Sequence, residues 1–226
     1  MKISQCLVVA AVCAWATVSQ AQTPAPAQPT TATDLYHVMF VKAAPGQATA
    51  LAKELQQLDA KDPMASHYLL LRHQEGADWD YCLIKHVGAR ASIEITPAPA
   101  ATATTAWHDD TFVSGPSWVE FQRVMGLSGD QSGQPIYVVS VQRAVPGHRE
   151  QLSKILNQRP STAKVTVSSL VMTHVEGGPW QFLTLDRYNS WQDLGVDRSA
   201  NAGGQGWADT RQHSAYHADT IADRVK

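Results

Sequence analysis

Apolar and polar residues change places along this chain with two alternating periods. From Leu35 to Val41 the residues are apolar or aromatic with β-branched members, and Ala43-Ala44-Pro45-Gly46 then stops the run, which predicts a strand followed by a turn. After the turn, Ala48, Leu51, Leu55 and Leu58 recur at helical spacing and predict a helix with one buried stripe. Ser66 to Arg72 is strand-like again. Glu75-Gly76-Ala77-Asp78-Trp79 then reads as a tight connection into a third strand, and a Gly-containing link of that kind normally joins an antiparallel hairpin.

The whole pattern is written twice. Tyr36–Val87 matches Tyr137–Tyr188 at a constant offset of 101 without a gap, and 14 of the 52 positions are identical. Those identities include the turn residues Pro45/Pro146 and Gly46/Gly147, the stripe residues Leu51/Leu152 and Leu55/Leu156, and the hairpin residues His73/His174, Glu75/Glu176, Gly76/Gly177 and Trp79/Trp180. Glycines, prolines and a tryptophan in common register mark a repeated structural unit. Each copy reads β-α-β-β. Beyond it lie a Pro/Ala/Thr-rich stretch (Thr96 to Thr105) in the first copy and a Gly-rich stretch (Ser199 to Gly206) in the second. A shorter echo follows, His108-Asp109-Asp110-Thr111-Phe112 against His217-Ala218-Asp219-Thr220-Ile221, and is read as helical; Ser117 to Val124 is the candidate fourth strand of the first copy, and the chain from Trp207 onward reads as helix.

The predicted class is therefore α+β: two tandem ferredoxin-like units, 34–130 and 131–226, with helices on one face of each antiparallel sheet. Strand alternation separates the two faces. Tyr36, Val38 and Phe40 and their counterparts Tyr137, Val139 and Val141 are uniformly apolar and are expected to meet the helices, with Cys82, Ile84, Leu183 and Leu185. The opposite face is mixed. It carries Met39, Tyr81, Ser140, Gln142, Phe182 and Thr184 with His37, Lys85 and Asp186 among them, and it is too apolar to stay in water. Facing sheets would enclose it as a largely apolar cavity with polar anchors, the usual form of a small-molecule site.

On these residues the chain resembles the dimeric α+β barrel superfamily, with both barrel halves in one polypeptide. The likeness spans Leu35 to about Lys226 and rests on the β-α-β-β order, the Ala-x-Pro-Gly turns and the Glu-Gly-x-x-Trp hairpins. It implies a barrel of antiparallel strands and a range of activities that includes cofactor-free monooxygenases, haem-degrading enzymes, polyketide cyclases and haem-binding dismutase-like proteins.

Residues 1–21 change the picture of where the protein works. Lys2, the apolar run from Cys6 to Ala16 and Ser19-Gln20-Ala21 form the pattern of a secretory signal peptide, so a periplasmic or secreted location is expected. Residues 22–33, with Pro24, Pro26 and Pro29, read as a disordered leader. Without Cys6 and Cys13, Cys82 is the sole thiol; it lies in an apolar strand and is expected to be buried and inert. The 18 basic and 20 acidic side chains form no long block, which argues against nucleic acid as a partner, and no basic amphipathic stretch points to a membrane surface once the signal is removed.

Among titrating residues, His37 is the preferred acid or base, with Lys85 and Asp186 orienting a substrate and Ser140 or Gln142 donating hydrogen bonds. His73 and His174, matched before the hairpins, are read as bonding a loop carbonyl or the neighbouring glutamate. His108 and His217 belong to the His-x-Asp-Thr echo, where Asp110 and Asp219 are expected to cap helices, and His213 with His217 falls short of a metal motif. No metal or cofactor is expected; haem on His174 or His217 is the alternative. The leading functional expectation is a binder of a small, partly apolar molecule, extending to a cofactor-free monooxygenase- or isomerase-like enzyme. The rival is a non-catalytic protein-interaction module, and unpaired sheet edges would allow a homodimer.

Overall fold

The computed structural model describes residues 33–57, 66–89, 102–128, 133–158, 165, 168–175 and 178–225. The segments read as signal peptide and, but for Thr33, as leader lie outside them, as do Leu58, Glu176 and Gly177. In chain order the elements are β1 (Asp34–Ala43), α1 (Ala48–Gln56), β2 (Tyr68–Glu75), β3 (Tyr81–Ala89), β4 (Thr105–Gly115), α2 (Trp118–Met125), β5 (Ile136–Ala144), α3 (Arg149–Asn157), β6 (Ser168–His174), β7 (Phe182–Tyr188), α4 (Trp191–Asn201), α5 (Gln205–His213) and β8 (Ser214–Arg224).

The turns form as the sequence requires. Gly46 and Gly147 take positive φ values of 76° and 83°, which only glycine adopts without strain, and each turn releases the chain into a helix. Leu51 and Leu55 of α1 and Leu152 and Leu156 of α3 are buried, as their spacing predicts.

Two elements differ from the sequence reading. Ser117 to Val124 is not the fourth strand but α2, whose start is capped by the Ser117 hydroxyl accepting from the Glu120 amide at 3.4 Å and whose end is the left-handed Gly126. Ser-x-x-Glu before apolar residues and a terminal glycine are helix signals, and Trp118, Phe121 and Met125 share one face. The fourth strands are instead β4 and β8, the segments that carry the His-x-Asp-Thr echo. Asp110 and Asp219 therefore sit within strands and cap nothing, and residues two apart, such as His108 and Asp110, share a side.

Eight antiparallel strands close into a barrel in the order β1-β3-β2-β8-β5-β7-β6-β4. The first half's order β4-β1-β3-β2 recurs in the second as β8-β5-β7-β6. The halves do not simply face each other as separate sheets; they join edge to edge, Leu71–Glu75 of β2 with Ile221–Arg224 of β8, and Val113–Ser114 of β4 with Thr173–His174 of β6. Every described strand thus has a neighbour on each side, with β4 meeting β6 over Val113–Ser114 alone.

Closure reverses the expected direction of the two faces. An eight-stranded barrel has an interior just wide enough for side chains to fill, so the driest face of every strand turns inward. Tyr36, Val38, Phe40, Leu69, Leu71, Cys82, Ile84, Val113, Tyr137, Val139, Met172, Leu183 and Leu185 form one interior cluster drawn from both halves. The mixed face points outward under the helices: Val41, Leu70, Tyr81 and Leu83 pack on Leu51 and Leu55 of α1, while Phe182 packs on Leu152 and Leu156 of α3. Cys82 lies in the interior with no exposure, and burial pushes its thiol far up.

Helix α2 lies across one end of the barrel. Trp118, Phe121 and Met125 join the interior cluster, the Tyr36 hydroxyl donates to Pro116 O at 2.8 Å and the Tyr137 hydroxyl donates to Met125 O at 2.9 Å. Asp34 receives the Trp118 amide at 3.0 Å. The other end stays open.

Candidate functional site

At the open end the two hairpins fold inward over matched anchors. The Ala43 amide donates to Asp80 Oδ2 at 2.8 Å and the Ala144 amide to Gln181 Oε1 at 2.7 Å, while the Asp80 and Gln181 amides return to Val41 O and Gln142 O. These ties set Trp79 and Trp180, both buried, beneath the mouth. Above them opens a cup of about 380 Å³. Its floor is Phe40, Val139, Val141, Trp79 and Trp180; Trp107 of β4 and Tyr216 of β8 stand at the rim, and Asp109, Arg143 and Thr220 bring polar groups. Phe40 and Trp79 meet with ring centroids 5.6 Å apart, and the Arg143 guanidinium lies 5.7 Å from the centre of the Tyr216 ring.

The matched histidines face the same interior below the cup. His174 stacks on Trp180 with centroids 4.4 Å apart, hydrogen-bonds through Nδ1 to Trp180 O at 2.9 Å, and contacts the Thr111 hydroxyl through Nε2. That loop-carbonyl bond is the one its sequence position suggests. His73 lies 5.7 Å from Trp79, but its Nε2 is buried without a hydrogen-bond partner. Thr220, the counterpart of Thr111, instead accepts the Ala77 amide at 3.2 Å. The repeat places the same pair at both seams, and only one seam closes it.

The catalytic and ligand-binding residues proposed from sequence lie on the outer face, where they are brought into separate groups. His37 approaches Asp110 Oδ1 at 3.0 Å, and His108 holds the other carboxylate oxygen. The His37 approach is close, yet Oδ1 has no well-aligned hydrogen-bond donor. Burial alone would raise the Asp110 carboxyl; the two imidazoles outweigh it and hold the group below the ordinary carboxylate value. Lys85 lies between His37 and Tyr68, whereas Asp186 lies between Val138 and Ser169 and accepts the Ser169 hydroxyl at 2.5 Å. They occupy matched positions on β3 and β7, but three strands separate them and they do not meet.

Ser140, Gln142 and Thr184 are almost completely buried on the outer face of the second half, and Gln142 Oε1 and Thr184 Oγ1 have no hydrogen-bond partner. Met39 packs beside α1. Tyr81, whose hydroxyl donates to Ala48 O at 2.9 Å, is the one predicted ligand residue to border a described hollow, of about 360 Å³ with Arg72, Gln134 and Asp223. There Arg72 and Asp223 already neutralise each other at 2.6 Å.

His213 and His217 do not form a helical i,i+4 pair, since His213 ends α5 and His217 is in β8. His213 meets His148, Nδ1 to Nδ1, at 2.8 Å, and His217 lies against Arg211 at 2.7 Å. No group of three or more metal-ligating side chains occurs among the described residues. Haem does not fit the histidines suggested for it, because both nitrogens of His174 are engaged and His217 sits beside a guanidinium outside the barrel.

Sequence reasoning missed the cup because it sent the wrong face inward. Alternation sets Phe40 and Val139 against helices, the echo that holds Asp109 and Thr220 reads as helical, and Trp107, Arg143 and Tyr216 carry no assigned role. One signal was available: Trp107 and Tyr216 precede the two copies of the echo at the same offset of 109, so an aromatic residue recurs there.

Closed barrel and paired hairpins together define the chain as an α+β barrel protein with both halves in one polypeptide. The solved structures it resembles carry the same fold. An anthrone oxidase-like protein matches with a TM-score of 0.54 at 11% identity, covering 86% of this chain and 92% of its own. A chlorite dismutase-like protein matches at 0.50 and 9% identity, over 85% and 95%. A monooxygenase-like protein from Lactobacillus acidophilus NCFM matches at 0.51 and 9% identity, over 85% and 94%. No family model and no curated protein matches the sequence. At such identities the likeness concerns the fold.

Proposed function

We propose that this chain is an exported protein that binds a small, partly apolar molecule in the cup at the open end of its barrel. The observation that carries this reading is the cup itself: five aromatic side chains, Phe40, Trp79, Trp107, Trp180 and Tyr216, surround a hollow of ligand size in which a few polar groups converge. Aromatic side chains supply large contact area with a polar tip, and Trp107 and Tyr216 remain exposed where a ligand would cover them. The test is native mass spectrometry of protein from its own host, beside an Ala218→Trp variant in which a new indole fills the cup. A small molecule is expected to travel with the parent chain and to be lost from the variant. Retention by the filled variant would remove the cup from consideration.

Export rests on residues 1–21 and is tested separately. The amino-terminal sequence of the mature protein is expected to begin near Gln22; an intact Met1 on the exported protein would reject the signal reading.

A second reading, as a cofactor-free monooxygenase- or isomerase-like enzyme, is favoured by His37, Asp110 and His108. A carboxylate between two imidazoles can fix their orientation and stabilise the imidazolium that forms when one of them takes a proton. Two of the fold neighbours are named for oxidation, which makes an acidic phenol or ketone the substrate class to try first. Unchanged turnover of an anthrone by a His37→Ala variant would dispose of this reading.

A further inference from the structure

The cup holds two opposite charges that do not meet. Asp109 belongs to β4 and Arg143 to β5, and β6 and β7 stand between those strands around the barrel. Among the described residues, Asp109 makes no ion pair or side-chain hydrogen bond. The Arg143 guanidinium makes only a 3.5 Å contact with Pro179 O and its approach to the Tyr216 ring.

The repeat sharpens this asymmetry. Lys42, the counterpart of Arg143, is bound to Asp78 and does not line the cup, while the counterpart of Asp109 is Ala218. One half therefore supplies a single acid and the other a single base, across a floor of Phe40, Trp79 and Trp180. A ligand of one charge sign would be attracted by one of these groups and repelled by the other; a neutral one would leave both without a partner. A zwitterion answers both. Carboxylates suit the planar fork of arginine, and ammonium groups are favoured by a carboxylate and by the faces of aromatic rings.

We infer that the cup selects small zwitterions with an apolar or aromatic body, of the α-amino acid type, with the carboxylate toward Arg143 and the ammonium toward Asp109. This rests on the cup being the ligand site. It adds what that site recognises.

The experiment is calorimetric titration of the full chain with four probes that share one ring system: tryptophan, tryptamine, indole-3-propionate and indole. Tryptophan is expected to bind about tenfold or more tighter than either singly charged analogue, the scale of one charge-assisted hydrogen bond. Asp109→Asn should bring tryptophan down to the level of indole-3-propionate, and Arg143→Gln should bring it down to that of tryptamine. Both side chains are exposed at the mouth, so neither change threatens the fold. If indole binds as tightly as tryptophan and Ala218→Trp abolishes both, the cup remains the ligand site and its selection by charge is wrong. If no probe binds, or if Ala218→Trp leaves tryptophan binding unchanged, the site and its selectivity fall together.

Discussion

The two faces of this one sheet are held together differently. Inside the barrel, side chains from both halves form one cluster, almost wholly apolar, so neither half has a dry interior without the other. Outside, the apolar contacts break into separate groups, each drawn mainly from one half: β1 to β3 against α1, β5 and β7 against α4, and β5 to β7 against α3. Between those groups lie the polar side chains, from His37 and Asp110 in the first half to Ser140, Gln142, Thr184 and Asp186 in the second. His37 and Asp110 are half-buried, while Ser140, Gln142, Thr184 and Asp186 are almost completely covered. Inside, the polar groups His73, His174, Thr111 and Thr220 lie at the seams below the open mouth.

Neighbouring residues give the sharpest test of this division. Val38 has no exposure and points inward, while Met39, next to it, is half-buried and points outward. A carboxylate at position 38 would have no water and no partner, so Val38→Asp should cost upwards of about 4 kcal/mol and leave little folded protein. Met39→Asp can turn its charge toward solvent, and it should cost roughly 1 to 2 kcal/mol, typical of a moderate single substitution. Urea unfolding of the two variants measures the difference. Equal costs would mean that both faces are equally sealed.

The seam between the halves is the next place to press. Gly76 has φ of 126°, and a Cβ there would collide with Asp219 O and lie 2.8 Å from Thr220 Cα on the facing strand. Gly46, at φ 76°, has open space around it. Gly46→Ala should cost roughly 1 to 2 kcal/mol, the penalty for left-handed backbone alone. Gly76→Ala should exceed it, because the backbone of β8 must move as well. If the two costs proved alike, the β2·β8 seam would not be a close-packed junction.

Much of this architecture is legible in the sequence, for identifiable reasons. Pro-Gly turns, the leucine pairs Leu51/Leu55 and Leu152/Leu156 and the first Glu-Gly-x-x-Trp hairpin act locally, and they appear where their spacing puts them. The fourth strands were missed because Trp107–Val113 is rich in charge and lacks the apolar run of a buried strand. Its polar residues are tolerated because β4 turns Asp109 to the mouth and His108 and Asp110 to the outer surface. Facing was missed for a deeper reason. Alternation says which residues share a side, whereas closure of the barrel decides which side is inside, and closure depends on pairing between β2 and β8 and between β4 and β6, about 150 and 60 residues apart. His37 and Lys85 do share one side of the sheet, and that side is the outer one.

A smaller effect separates satisfied from unsatisfied polar groups on the outer face. Thr184 is completely buried, and its hydroxyl has no partner. Valine has nearly the same shape without that hydroxyl, so Thr184→Val should be neutral or stabilising by up to about 1 kcal/mol. Thr111→Val, on the inner face, removes the partner of the buried His174 Nε2 and should instead cost about 1 to 3 kcal/mol. Thermal unfolding of the two variants compares them. A loss of stability in Thr184→Val would show that its hydroxyl has a partner in solution.

The smallest effect is expected where the outer face is half-open and depends on pH. Asp110 is held below the ordinary carboxylate value by His37 and His108, against the opposing influence of its burial. A carboxylate whose folded value is depressed contributes stability that is fully present above its unfolded value, about 3.9, and is lost as pH falls through the lower folded value. Asp110→Asn should therefore be less stable than the parent chain near pH 6, with the gap narrowing as pH is lowered from about 4 and closing once the parent carboxylate is protonated. Urea unfolding across that range reads the gap directly. A gap that stays constant with pH would trace the loss to packing, and the two imidazoles would then be neighbours of Asp110 without being its electrostatic partners.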